Sequence, residues 1–196
     1  MIRKTTLVGV SLAIAGAACA AIAAAVLKKP GEEDGKASKP VSYVPIDPQE
    51  GTYSFVSGYK NAKTVEVKYV YDAAKFISKI IEEEFLTYTS DSHVAAIYGE
   101  DFNIQLEYAD YVSGEDYQKL AEHLAEKYKG FEPVLYGDNS CCRYFDGNNL
   151  CVCFPAGEYS YLLATVIKNE GSDLDYLTMG DDARVSAILS SITVEA

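Results

Sequence analysis

The stretch SCCRYFDGNNLCVCF, residues 140–154, decides the fold, because it reads as two apolar strands joined by a tight turn. Residues Asp146–Asn149 have the small and polar side chains that favour turns. Two strands joined by so short a turn must pair antiparallel. If Phe145 faces Leu150 across the turn, every other pair in this hairpin is fixed. The sequence therefore predicts an antiparallel sheet that contains this hairpin.

Apolar and polar residues alternate in other segments as well, and this pattern is typical of half-buried strands. The clearest case is Phe102–Tyr108, in which every second residue is apolar. Three further segments repeat apolar residues at helical spacing. The predicted order is strands over 52–57 and 65–71, a helix after Asp72, strands over 93–98 and 102–108, a helix ending at Gly130, strands over 131–136, 140–145, 150–154 and 159–168, and a helix with Val185, Ile188, Leu189 and Ile192 on its apolar face.

The predicted helices decide the fold class. Asp72 is expected to cap the first helix, and Ser113 with Asp116 resembles the capping box of the second. Three amphipathic helices are enough to cover one antiparallel sheet. The sequence therefore predicts an α+β fold, an antiparallel sheet covered by about three helices, with an N-terminal apolar helix and a linker before it. The apolar residues that define the first helix are Phe76, Ile77, Ile80 and Ile81.

The amino terminus has the pattern of an export or anchoring segment. Arg3 and Lys4 precede Thr5–Leu27, which are 23 residues without a charge, and two lysines follow. About 20 apolar residues can cross a bilayer as a helix, but basic, apolar and small residues in this order are also typical of a signal peptide. A retained anchor and a cleaved signal both stay open, as does lipidation of Cys19 after cleavage.

The chain divides into three predicted parts. Residues 1–29 are the signal peptide or transmembrane anchor. Residues 30–51 contain four of the six prolines, three glycines and an acidic cluster, which predicts a flexible linker. Residues 52–196 form the extracytoplasmic domain. We expect N-terminal anchoring in the cell membrane with the domain outside, or secretion if the signal is cleaved.

Charge separates the first part from the rest. The chain has 17 Lys and Arg against 29 Asp and Glu, a net charge of -12. Four of the basic residues and none of the acids lie in residues 1–29, which leaves 13 basic and 29 acidic residues in residues 30–196 and a net charge of -16 there. Phosphate would be repelled by such a surface, so we expect no nucleic-acid partner.

Element order and several short motifs resemble the PsbP-like superfamily. Phe102–Leu106 is followed by Glu115–Tyr117 opening a helix that ends at Gly130–Phe131, and then by four antiparallel strands and the closing segment Ala187–Ile192. The resemblance covers about residues 93–193. It implies a non-catalytic accessory or binding module, without family active-site residues to transfer to this chain.

The hairpin contains four cysteines. If Phe145 faces Leu150, Cys142 faces Cys153, and directly opposed cysteines in an antiparallel pair have a separation that a disulfide can bridge. Because side chains alternate along a strand, Cys151 shares a face with Cys153, whereas Cys141 and Cys142 point to opposite faces. We predict one Cys142–Cys153 disulfide, which an exported context favours.

Two other states of these cysteines stay open. The four side chains can be buried thiols that act as small hydrophobic groups, or they can form a thiol-based redox sensor. A four-thiolate zinc site needs C-x2-C-type spacing, which is absent. We therefore expect no metal site and no cofactor.

No catalytic motif stands out, and two functions follow as alternatives. The first is a non-catalytic, exported and membrane-tethered module that binds a protein or cell-envelope partner. The second is a small extracytoplasmic hydrolase or isomerase that uses paired carboxylates such as Glu107 and Asp110. The acidic residues between Glu170 and Asp182 also suggest Ca²⁺ ligands, although their spacing fits no EF-hand and a helix cap is needed there.

Overall fold

The computed structural model describes residues 42–56, 63–81, 94–111, 115–156 and 160–195. The predicted anchor or signal over residues 1–29, Cys19, most of the predicted linker, and Ser113 lie outside these ranges. Within them, no helix has the length and apolar character needed to cross a membrane.

The described residues form ten strands and two α-helices. The helices are α1 (Tyr117–Lys127) and α2 (Ala183–Ser190), and a 3-10 turn precedes α2. The strands are β1 (Pro48–Val56), β2 (Thr64–Asp72), β3 (Phe76–Ile81), β4 (Val94–Gly99), β5 (Phe102–Asp110), β6 (Glu132–Tyr136), β7 (Asn139–Asp146), β8 (Asn149–Pro155), β9 (Ser160–Lys168) and β10 (Thr193–Glu195).

The strands make two antiparallel sheets. The small sheet has the order β1-β2-β10, and the large sheet has the order β3-β4-β5-β9-β8-β7-β6. The pairing of β5 with β9 joins the two halves of the large sheet through a nine-residue ladder. Strand β1 begins at Pro48, within the range that the sequence predicted as linker.

The main core lies between the two sheets and α2. It contains side chains of the small sheet, such as Tyr69, together with the inward face of the large sheet. Ser191 ties the end of α2 to β2, because its hydroxyl accepts a hydrogen bond from the Val70 amide at 2.8 Å. A smaller core lies on the opposite face of the large sheet, where α1 covers β7, β8 and β9.

The predicted fold class is wrong. Strands account for 54% of the described residues and helices for 17%, with two α-helices and two antiparallel sheets instead of one sheet covered by about three helices. The cause is the second sheet, because β1, β2 and β10 occupy the face on which helices were expected. Strand β10 has only three residues, too few to show an alternating pattern.

The segment after Asp72 is a strand and not the predicted helix. Asp72 ends β2, and its carboxylate accepts a hydrogen bond from the Ala74 amide two residues on, at 3.1 Å. An aspartate makes the same kind of bond in an Asx turn as at a helix N-cap, so the signal in the sequence was ambiguous. The three isoleucines of Phe76–Ile81 are β-branched and favour the strand that pairs with β4.

The Asp72 carboxylate fastens the segment before β1 to the domain. It accepts hydrogen bonds from the Tyr43 hydroxyl and from the amides of Ile46 and Asp47 at 3.0 and 2.9 Å. The Tyr43 bond and these amides lower the pKa of Asp72 from 3.8 to about 2. The ionised carboxylate is therefore the form that the folded state prefers.

We expect Asp72→Asn to lower the melting temperature at neutral pH, because an amide is a weaker acceptor than a carboxylate for four donors. Since folding lowers this pKa, the stabilisation is present above pH 3.8 and is lost as the pH falls towards about 2. The difference between the two proteins should therefore shrink over that interval in thermal melts. Asp47→Asn is the control, because that side chain is exposed and accepts a hydrogen bond from Gln49 at the surface.

Candidate functional site

The cysteine hairpin has the predicted register. Phe145 pairs with Leu150 and Cys142 pairs with Cys153 across β7 and β8. All four cysteines are buried thiols in the structure. The disulfide between Cys142 and Cys153 stays a prediction.

Three of the four thiols share the face that α1 covers. Cys142, Cys151 and Cys153 belong to the smaller core, whereas Cys141 belongs to the main core. This division follows from strand alternation. Leu124 and the half-buried Tyr117, both on α1, pack onto the three thiols. We call this group, Cys142, Cys151, Cys153 and Tyr117, the thiol site.

Tyr117 connects α1 to both strands of the hairpin. It is the first residue of the helix, and Asp116 caps that end by accepting a hydrogen bond from the Lys119 amide at 3.0 Å. The Tyr117 hydroxyl donates to the Cys153 carbonyl oxygen at 2.7 Å and lies 3.4 Å from the Cys142 sulfur. Burial raises the pKa of this hydroxyl well above 10.0, so it keeps its proton and remains a donor.

The two opposed thiols differ in acidity. A hydrogen bond from the Cys153 thiol, and a second from Tyr117, lower the pKa of Cys142. The same bond to Cys142, together with burial, raises the pKa of Cys153 well above its ordinary value. Cys142 is therefore the more acidic thiol of the pair, and Cys153 is the less acidic one.

Cys151 stands apart from this pair. It lies directly opposite Tyr144 on β7 and Thr165 on β9. Burial raises the pKa of the Cys151 thiol. Its surroundings are therefore those of an inert, buried thiol.

The carboxylates of the predicted hydrolase do not converge. Glu107 and Asp110 are three residues apart on β5, so their side chains leave opposite faces of the sheet. Asp110 accepts a hydrogen bond at 3.0 Å from Ser160, whose hydroxyl in turn accepts from Tyr108. Glu107 and Asp110 therefore do not provide each other with the second carboxylate that acid–base catalysis would need.

The acidic loop before α2 is used for caps and ion pairs. Asp182 caps α2 by accepting from the amides of Arg184 and Val185. Asp181 pairs with Arg143 at 3.1 Å, and Asp175 accepts from the Leu177 amide at 3.0 Å. In the part of the chain that the structure describes, no three His, Cys, Asp or Glu side chains are grouped so that they could hold a metal ion.

Strand β3 presents apolar side chains at an edge of the large sheet. It pairs with β4 on one side and ends the strand order as far as the chain is described. Ile77 is 63% exposed and Ile80 is 51% exposed. They leave opposite faces of the strand, with Lys79 between them. We call Phe76–Ile81 the β3 edge.

Sequence reasoning found the opposed cysteines but missed Tyr117 and the β3 edge. Tyr117 is 25 residues from Cys142, so no local pattern connects the two. The β3 edge was missed because its residues were assigned to a helix, in which Ile77 and Ile80 would have faced the core. The run of β-branched residues was the signal that could have found it.

Comparisons with family models, with curated proteins and with solved structures found no match to this chain. The functional interpretation therefore depends on the chemistry of the residues themselves.

Proposed function

We propose that this chain is a non-catalytic, exported and membrane-tethered module that binds an extended segment of a protein partner along the β3 edge. The exposure of Ile77 and Ile80 on an edge strand is the observation that carries the proposal. The basic and apolar pattern of residues 1–29 supports the tether, and the resemblance to the PsbP-like superfamily supports an accessory role.

An edge strand has backbone groups that can pair with a further strand. Along β3, alternate residues turn their N–H and C=O groups away from β4, which is the arrangement used in β-augmentation. A docked segment would meet Ile77 on one face of the sheet and Ile80 on the other. Lys79 between them favours a segment that carries an acidic residue.

The opposite edge of the large sheet is a poorer docking strand. Strand β6 also carries an exposed apolar residue, because Leu135 is 71% exposed. It contains Pro133, however, and a proline has no backbone N–H to donate to an added strand. Strand β3 contains no proline, so its donors are complete.

A foreign segment fits the β3 edge better than a second copy of this chain does. Residues 30–196 carry a net charge of -16, so two domains repel one another at low ionic strength. Symmetric pairing of two β3 edges would also bring two copies of Lys79 close together. The proposed occupant is therefore an apolar segment of another protein that places a single acidic residue at Lys79.

The test is crosslinking and affinity capture of the full-length chain in its native membranes. We expect the double variant Ile77→Asp and Ile80→Asp to recover about tenfold less partner than the wild-type chain, because two apolar contacts are replaced by charges. Leu135→Asp on β6 is the matched control and should capture normally. Circular dichroism and the melting temperature must show that all variants fold.

Two results would contradict the proposal. Equal recovery of the same partner by the double variant would show that the β3 edge is not part of the binding interface. Light scattering that gives twice the chain mass, lost in the double variant, would make the occupant a second copy of this protein.

A further inference from the structure

Only one pair within the thiol site has the geometry of a disulfide. Directly opposed Cα atoms in an antiparallel pair, such as those of Cys142 and Cys153, lie about 4.5 to 5.5 Å apart. A disulfide accepts about 4.4 to 6.8 Å. Cys151 is diagonal to Cys142, at about 7 to 8 Å. Cys141 points to the main core, on the other face of the sheet.

Helix α1 closes this pair off from solvent. Cys142 is 3% exposed and Cys153 is 1% exposed. A reagent larger than water can reach their sulfur atoms only if α1 moves away from the sheet. The hydrogen bond from the Tyr117 hydroxyl to the Cys153 carbonyl oxygen opposes that movement.

We propose that Cys142 and Cys153 are a redox-active thiol pair, oxidised to a cross-strand disulfide by an external disulfide, and that α1 with Tyr117 controls access to them. This inference is independent of the proposed partner. It assigns a modification site to the hairpin and a gating role to a helix on the other side of the sheet from the main core.

The reaction is a thiol–disulfide exchange in two steps. The Cys142 thiolate attacks one sulfur of the external disulfide RSSR, forms a mixed disulfide and releases RS⁻. The Cys153 thiol then loses its proton to RS⁻ and attacks the Cys142 sulfur, which releases the second RS⁻. Overall, the two thiols lose two electrons and two protons to RSSR, which is reduced to two molecules of RSH.

The order of attack follows from the difference in pKa between the two thiols. Hydrogen bonds lower the pKa of Cys142, so it is the first nucleophile. Cys153, whose pKa is raised, is the resolving thiol. Cys151 has no opposed thiol and takes no part.

The first test uses the full-length chain in mild detergent with oxidised glutathione as the external disulfide. After acid quenching and unfolding, N-ethylmaleimide labels the remaining thiols. We expect two labels fewer than in the reduced sample, and a peptide in which Cys142 is joined to Cys153. Cys151→Ser should give the same link, and Cys142→Ser should abolish it. An unchanged label count, or a link through Cys141 or Cys151, would overturn the proposal.

The second test asks whether Tyr117 controls access to the Cys142–Cys153 pair. Tyr117→Phe keeps the ring packed between α1 and the sheet but removes the hydroxyl. We therefore expect α1 to move away from the sheet more often and the disulfide to form about fivefold faster. Gln118→Ala is the matched control, because that residue lies on the exposed side of α1, where its side chain bonds to Glu122. If the disulfide forms at the wild-type rate in both Tyr117→Phe and Gln118→Ala, the Tyr117 hydroxyl does not control access to the thiols. If both accelerate equally, the effect belongs to the stability of α1 as a whole and the role of Tyr117 is also overturned.

Discussion

Replacing Gly137 by alanine is expected to lower the free energy of unfolding by about 2 to 5 kcal/mol. Gly137 lies in the turn between β6 and β7 and has φ of 59°, a conformation that alanine adopts only with strain. A Cβ atom at this position would also lie 2.6 Å from the carbonyl oxygen of Ser190, the last residue of α2. Because that neighbour is backbone, relief would require the helix end to move.

Gly147 provides the control, because it separates the backbone strain of a positive φ from the steric clash of the added Cβ atom. Its φ of 61° is nearly the same, but a Cβ atom there would have no atom within 4 Å. Gly147→Ala should therefore lose only the conformational part, and Gly137→Ala should lose at least about 1 kcal/mol more. Urea denaturation of both variants gives the comparison. Equal losses would mean that the β6–β7 turn does not pack against α2.

Local patterns were enough to predict eight of the ten described strands, all but β3 and β10, and the hairpin register. The Phe145–Leu150 pairing needed only the turn Asp146–Asn149 and the rule that side chains alternate. Helix α1 was identified by its spacing, but its N-cap is Asp116, which the predicted capping box placed three residues after an N-cap at Ser113. These features depend on residues that are close in sequence, where a single chain carries the information.

Features that depend on distant residues were not predictable in the same way. The pairing of β5 with β9 joins residues at least 50 positions apart, and the short β10 joins β2 from the far end of the chain. Local periodicity does not indicate which strands share a sheet. The sequence pattern therefore could not distinguish two packed sheets from one sheet covered by helices. The thiol site shows the same limit, because its cysteines were found and the tyrosine that bonds to them was not.

The second large effect is expected at Tyr69, where the two sheets meet. Tyr69 is 1% exposed and lies on β2 of the small sheet, with its ring directly over Gly51. Its hydroxyl lies 2.6 Å from the Ser78 hydroxyl on β3 of the large sheet. We expect Tyr69→Ala to lower the free energy of unfolding by about 3 to 5 kcal/mol, because it leaves a cavity in the main core.

Tyr69→Phe separates the cavity from the hydrogen bond. It keeps the ring over Gly51 and removes only the bond to Ser78, so it should cost about 0.5 to 1.5 kcal/mol. Urea denaturation monitored by circular dichroism measures both variants. A loss below 1 kcal/mol for Tyr69→Ala would mean that the small sheet contributes little to the main core. Because Ser78 lies between Ile77 and Lys79, Tyr69→Phe also loosens the β3 edge without emptying the core, and a drop in partner capture by this variant would connect the packing of the two sheets to binding.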